Sequence, residues 1–191
     1  MRTKDFDEEE ALEKALQLFW HKGYNGTSMQ DVLDTLGLSR SSLYRTFIDK
    51  HTLYIRALAK YQQFSSEEIR RVMNDGLPVK DNIRKLLEFI ADVVISDAQQ
   101  KGCFMLNSEV EVAPHDKEIH CIVLNNDQEM EEVFFQLAKK GQDNGELTKA
   151  KDARAIARFL LNTAKGIRVT VKSTSDRAIF SDVIEMALFN L

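Results

Sequence analysis

The chain has 191 residues, 43% hydrophobic and 29% charged, with 26 basic against 30 acidic side chains and a formal net charge of −4. That length carries one sizeable domain or two small ones around a real core, and the composition is globular, not disordered. Two Pro and eight Gly leave too few turns for a β-sandwich or barrel. No apolar run approaches the ~18–20 residues a bilayer span needs, and the acid-rich Met1–Glu10 is unlike a secretory leader. Two cysteines are too few for a disulfide framework. The expectation is a cytoplasmic protein that avoids membranes and does not coat nucleic acid non-specifically, with room for a local basic face.

Helix signals follow one another along the chain. Asp7–Glu10 puts acids at a helix start, and Ala11, Leu12, Ala15, Leu16, Phe19 and Trp20 then recur at helical spacing up to Gly23. Thr27-Ser-Met-Gln30 has the form of a capping box for a second helix, with Val32, Leu33 and Leu36, that stops at Gly37. Ser39 caps a third helix bearing Leu43, Tyr44 and Phe47, and Asp49 caps a fourth running from Lys50 to about Met73. Val79–Ser96 is long and amphipathic, and Gly102 leads a short apolar piece, Cys103–Val112. Pro114 suits the first turn of the next helix, which runs to Gly141 or Gly145. Asp152 caps Ala153–Ser173, and a last helix reaches from Asp176 to Leu191. The expected fold class is all-α, about nine helices.

The charge is uneven. Between Lys14 and Lys60 lie seven basic residues (Lys14, Lys22, Arg40, Arg45, Lys50, Arg56, Lys60) against three acids (Asp31, Asp34, Asp49). In that window the second and third helices are joined by Leu36-Gly-Leu-Ser39, the spacing of a helix-turn-helix, with Gly37 free to take a positive φ. Leu43 and Phe47 point inward, while Arg40, Ser41, Ser42, Arg45 and Thr46 form a small, polar and basic face able to enter a major groove.

The stretch Gly23 to Lys50 resembles the DNA-binding segment of TetR/AcrR-type repressors. The matching positions are Gly23-Tyr24, Thr27-Ser28, Asp31-Val32, Gly37-Leu38-Ser39, Leu43-Tyr44, Phe47 and Lys50 with Leu53. Leu33, Ser41 and Thr46 depart from the family's usual residues, which leaves the operator sequence open. The resemblance implies a helix-turn-helix head over residues 1–50 and an effector-binding and dimerisation domain over 51–191. It implies that Thr27, Ser28, Gln30, Tyr44 and Lys50 touch phosphates. Ser39, Arg40, Ser41, Ser42, Arg45 and Thr46 then lie at the groove.

From about Tyr61 onward there is no phosphate loop, metalloprotease motif or nucleophile elbow, so neither an enzyme nor a cofactor is expected. Phe89, Val93, Phe104, Met105, Phe134, Phe135, Leu137 and Phe159 are candidate lining of an apolar effector pocket, with ordinary core packing as the alternative for each. Asn107 is a candidate polar group in that pocket, and Glu111 reads as a surface charge. His115, Asp116, His120 and Cys121 offer too few ligands at metal spacing, so no metal is assigned. Cys103, beside Gly102 at a helix start, is a candidate reactive thiol, and so is Cys121, with inert burial as the alternative.

Ile156, Leu160, Ala164 and Ile167 form one apolar stripe, and Ile179, Val183 and Met186 another. By the resemblance these two stripes pair with a second copy. The expected protein is a homodimeric repressor of double-stranded operator DNA, released by a small apolar effector. The competing reading is a helical ligand-binding or adaptor protein without DNA-binding activity.

Overall fold

The computed structural model describes residues 6–73 and 76–191. Among them are nine helices and no strand: α1 (Glu8–Lys22), α2 (Met29–Leu36), α3 (Arg40–Phe47), α4 (Lys50–Val72), α5 (Val79–Ser96), α6 (Phe104–Glu111), α7 (Lys117–Asp143), α8 (Ala153–Thr170) and α9 (Arg177–Phe189).

Local chemistry sets most of the boundaries. The Asp7 carboxylate accepts the backbone N–H groups of Glu9 and Glu10 at 2.8 and 3.2 Å, filling donors that the first turn leaves free. The cap of α2 lies one residue beyond the expected Thr27. The Ser28 hydroxyl accepts from the Asp31 N–H at 3.1 Å, and the Asp31 carboxylate accepts from the Ser28 N–H at 2.7 Å. Thr27 is unavailable because it is buried, with its hydroxyl donating to the Gly23 carbonyl at 2.6 Å. Lys22 completes the cap at 2.6 Å from Asp31. This ammonium, then the Ser28 donors, hold the Asp31 carboxyl well below the usual carboxylate range. Pro114 lies in the turn before α7, whose cap is Asp116, and not in its first helical turn.

Two clusters of buried side chains organise the helices. One is built from α5, α7, α8 and α9, with Ile83, Leu86, Leu87, Phe134, Leu160 and Ala164 at its centre. The other holds the buried faces of α1–α3 and also Leu53, Tyr54, Ala57 and Leu58 of α4. The division expected at residue 50 therefore falls at the start of a helix whose first half belongs to the head. The same cluster takes in Phe104 and Met105 of α6 and Ile119 and Val123 of α7, so the head is packed against the rest.

The joint between α3 and α4 is tight. Asp49 N–H donates to the Phe47 carbonyl at 2.7 Å across Ile48, which sits at φ 66°, ψ −60°. A β-branched residue in that region crowds its own backbone. Ile48 is 66% exposed, so its side chain recovers little by burial. Ile48→Gly is therefore expected to raise stability by about 1 kcal/mol, the relief of left-handed strain outweighing glycine's entropy. Urea unfolding of the two proteins measures it, and a destabilised glycine variant would contradict it.

Candidate nucleic-acid interface and ligand cavity

The third helix is set by its buried side. Leu43 and Phe47 insert into the head's core, and that leaves Arg40, Ser41, Tyr44 and Arg45 exposed, with Ser42 and Thr46 half-buried. The Ser39 hydroxyl accepts the Ser42 N–H at 3.2 Å and lies 3.1 and 3.0 Å from the hydroxyls of Ser41 and Ser42. Arg40 forms no hydrogen bond or ion pair among the described residues, and Arg45 reaches only the Ser42 hydroxyl, at 3.5 Å. Two guanidinium groups, one from the first turn and one from the last, and a serine cluster thus face outward along one short helix. That is a donor-rich surface suited to phosphate oxygens and guanine edges.

The residues around this helix divide differently from expectation. Ser28 and Gln30 are exposed, Gln30 donating to Asp34 at 2.7 Å. Thr27 is 1% exposed and its hydroxyl is spent inside the protein, so its side chain cannot reach a phosphate. Tyr44 leaves its ring half open to solvent. Lys50 turns inward: its ammonium donates to the carbonyls of Tyr24 and Thr27 at 2.9 and 2.7 Å and lies 4.2 Å from the centre of the Tyr24 ring. Burial pushes the Lys50 pKa below the ordinary lysine value. The lysine ties α4 to the α1–α2 turn. Glu111, read from sequence as a surface charge, braces the same turn by accepting the N–H groups of Tyr24 and Asn25 at 3.2 and 2.8 Å. Gly23 has φ +79°, which favours glycine, and a Cβ there would stand 2.8 Å from a Glu111 oxygen and push that carboxylate off the turn it braces.

A cavity of about 450 Å³ opens between the head and the bundle. Leu16, Gln17 and Trp20 of α1, Tyr61, Phe64 and Ile69 of α4, Phe89, Ile90 and Val93 of α5, Cys103 and Arg168 are among its walls. A smaller one of about 200 Å³ shares Tyr61, Ser65, Ile69, Cys103 and Arg168 with it and adds Met105. Of the expected lining, Phe89, Val93 and Met105 face these spaces. Phe104, Phe134 and Leu137 are solid core, and Phe135 packs under the Arg154 guanidinium. Phe159 is exposed on α8, and Asn107 donates to the Lys101 carbonyl at 2.9 Å. The contribution of α1 was missed. Its signal is the adjacent pair Phe19-Trp20, which is too wide for a helix with one buried face.

Cys103 is the residue that precedes α6 at the cavity wall; its thiol caps nothing and accepts from the Tyr61 hydroxyl at 3.5 Å, and Cys121 is exposed on α7. Asp116 caps α7 and lies 2.7 Å from His51 Nε2. The stripe Ile156, Leu160, Ala164 and Ile167 faces this chain's own core, which corrects its assignment to an interface. Ile179, Val183 and Met186 are exposed on α9.

A three-helix head with an exposed basic helix face, set on a helical bundle with a cavity opening between the two, defines a helix-turn-helix transcriptional regulator. Residues 11–57 match the family model for bacterial regulatory proteins of the tetR family, and residues 79–186 match the tetracyclin repressor-like C-terminal domain. The chain belongs to the tetR family. It is 29% identical over 98% of its length to the uncharacterized HTH-type transcriptional regulator YezE of Bacillus subtilis, covering 97% of that protein. It is 27% identical to the HTH-type transcriptional repressor ComR of Escherichia coli, over 90% of this chain and 82% of that one. Among solved structures, the TetR family regulator CifR, a cysteine mutant complexed with 26-base-pair operator DNA, superposes with a TM-score of 0.86 at 25% identity over 98% of each chain.

Lys50→Met removes both carbonyl contacts while keeping the apolar stem. It is expected to cost about 1–3 kcal/mol, the range for hydrogen bonds from a charged donor. Thermal unfolding without DNA is the measurement, and an unchanged midpoint would return Lys50 to a purely DNA-facing role.

Proposed function

We propose that this regulator is a homodimeric, cytoplasmic repressor that leaves a palindromic operator when a small, largely apolar molecule enters the 450 Å³ cavity. The observation that carries this reading is the shared wall. Leu16, Gln17 and Trp20 belong to the first helix of the DNA-binding head, and they enclose the cavity together with α4 and α5. A ligand there touches the head directly. Any preference for one orientation of α1 then becomes a preference for one spacing of the two third helices, and the DNA-bound population falls by that differential affinity.

Arg40, Ser41, Ser42 and Arg45 face the groove in this reading, and Ser28, Gln30 and Tyr44 meet phosphates. The dimer seam uses the exposed side of the last two helices. Ile179, Val183, Met186 and Phe189 on α9 lie open, and so does Phe159 on α8. A Cβ on Gly166 would meet nothing within 4 Å, so this glycine serves no packing inside the chain and leaves room for a second backbone. A two-fold seam matches a palindromic site.

Arg40→Ala is expected to weaken operator binding by about 1–3 kcal/mol while changing affinity for random DNA little, since a bidentate base contact carries sequence information. Titration of fluorescent operator from the region upstream of its own gene, against scrambled duplex, decides this. Equal loss on both would remove Arg40 from base reading. Val183→Arg should turn the dimer into a monomer at micromolar concentration in sedimentation, because it puts an unpaired charge in an apolar seam. A variant that stays dimeric would place the seam elsewhere.

A further inference from the structure

The charged groups around the cavity are not equally engaged. Glu13 accepts from Gln17 and pairs with Lys60, Lys60 also holds Glu9, and Glu68 pairs with Arg71. In the adjoining space Glu129 accepts from Gln62. Every acid on the two walls therefore has a partner. Arg168 has neither a hydrogen bond nor an ion pair among the described residues, and it lines both spaces where they meet. Its guanidinium is close enough to the buried Tyr61 hydroxyl to oppose, by its charge, the rise in that group's pKa that burial causes. Asp127, the acid it also influences, is taken by Lys165, which bonds Glu109 as well. The Ser65 hydroxyl, on the same shared wall, makes no hydrogen bond among the described residues.

We propose, building on the effector reading above, that the ligand is an amphipathic monoanion. Its aromatic-sized apolar body fills the space among Trp20, Tyr61, Phe89 and Val93, and its carboxylate pairs with Arg168 and accepts from Ser65. A half-buried guanidinium with no carboxylate in contact gains most from an anion able to accept two parallel N–H bonds. A neutral ligand of the same shape leaves it unpaired, and a cationic one is repelled. The apolar walls supply affinity and the arginine supplies selection, the usual division in a small-molecule site.

A matched pair of dyes tests this: 8-anilinonaphthalene-1-sulfonate and N-phenyl-1-naphthylamine, which share an apolar body and differ in the anionic group. Trp20 is the single tryptophan of the chain, so its emission reports occupancy of this cavity. The unmodified protein should bind the sulfonated dye about tenfold more tightly than the neutral one, as one good charge-assisted contact gives. Arg168→Gln should remove most of that preference and weaken the neutral dye far less, and Arg168→Lys should restore part of it. Displacement of the neutral dye should be stronger with decanoate than with decan-1-ol. Equal quenching of Trp20 by both dyes, or a preference that survives Arg168→Gln, overturns the anionic ligand but leaves the cavity as an effector site. Quenching by neither dye overturns both.

Discussion

Helix α6 is buried from two sides at once, and the relation between head and bundle depends on it. Phe104 packs edge-on against Tyr54 and Tyr61 and beside Trp20, so one α6 side chain closes a cluster built from α1 and α4. The Tyr54 hydroxyl sits 2.7 Å from Ser108, which donates in turn to the Phe104 carbonyl, so these hydroxyls inside the apolar mass are satisfied. The next residues reach in opposite directions. Glu109 meets Lys165 on α8, and Glu111 meets the turn after α1. Eight residues thus contact the DNA-binding head, the bundle and a cavity wall together.

The basic residues of the first third show how context assigns roles that composition cannot. Lys50 and Arg40 carry the same charge, but one lies beneath two carbonyls and the other faces solvent on the third helix. Arg56 is likewise taken up, held by Glu8 at 2.5 Å and stacked 4.9 Å from the Phe47 ring centre. A flexible ammonium or guanidinium goes where acceptors are fixed nearby, and the backbone supplies fixed carbonyls wherever a helix ends. What remains for a nucleic acid is the small set of cations that no helix end or acid has claimed.

The helices were legible because each carries its own punctuation. Asp7, Ser39, Asp49, Asp152 and Asp176 cap the starts where a short polar side chain precedes a periodic run. The turn at Gly37 was legible because φ 65° favours glycine, with nothing within 4 Å to demand it otherwise. Choices between equivalent partners were not legible. Thr27 and Ser28 can both cap a helix, and only the burial of Thr27 under the head decides between them. Phe104, Phe134 and Leu137 share composition with cavity-lining residues, and periodicity cannot tell a filled space from an empty one. The α8 stripe has the right spacing for an interface, but that spacing serves an internal core equally well. Glu111 is invisible for a different reason: its partners are backbone N–H groups 86 and 87 residues away, which have no side-chain signature.

Trp20 is where these threads meet. Its indole N–H donates to the Gly102 carbonyl at 3.1 Å, its ring makes a T-shaped pair with Tyr61, and the Lys101 ammonium lies 4.5 Å from its centre. The residue therefore belongs to α1, holds the segment that leads into α6, and forms cavity wall. A molecule in the cavity that moves the indole has two choices. It can break the bond to Gly102, leaving a half-buried donor unmet, or it can carry residues 101–103 along with α1. The first costs about 1–3 kcal/mol for an unsatisfied polar group. The second keeps that bond but strains Glu111 on the turn after α1 and Glu109 on α8. On either course α1 and α6 are displaced relative to one another, and those two helices fix how the head is carried on the bundle. Under the effector reading proposed above, a ligand of modest size would thus have a short mechanical route to the third helix without crossing the bundle core.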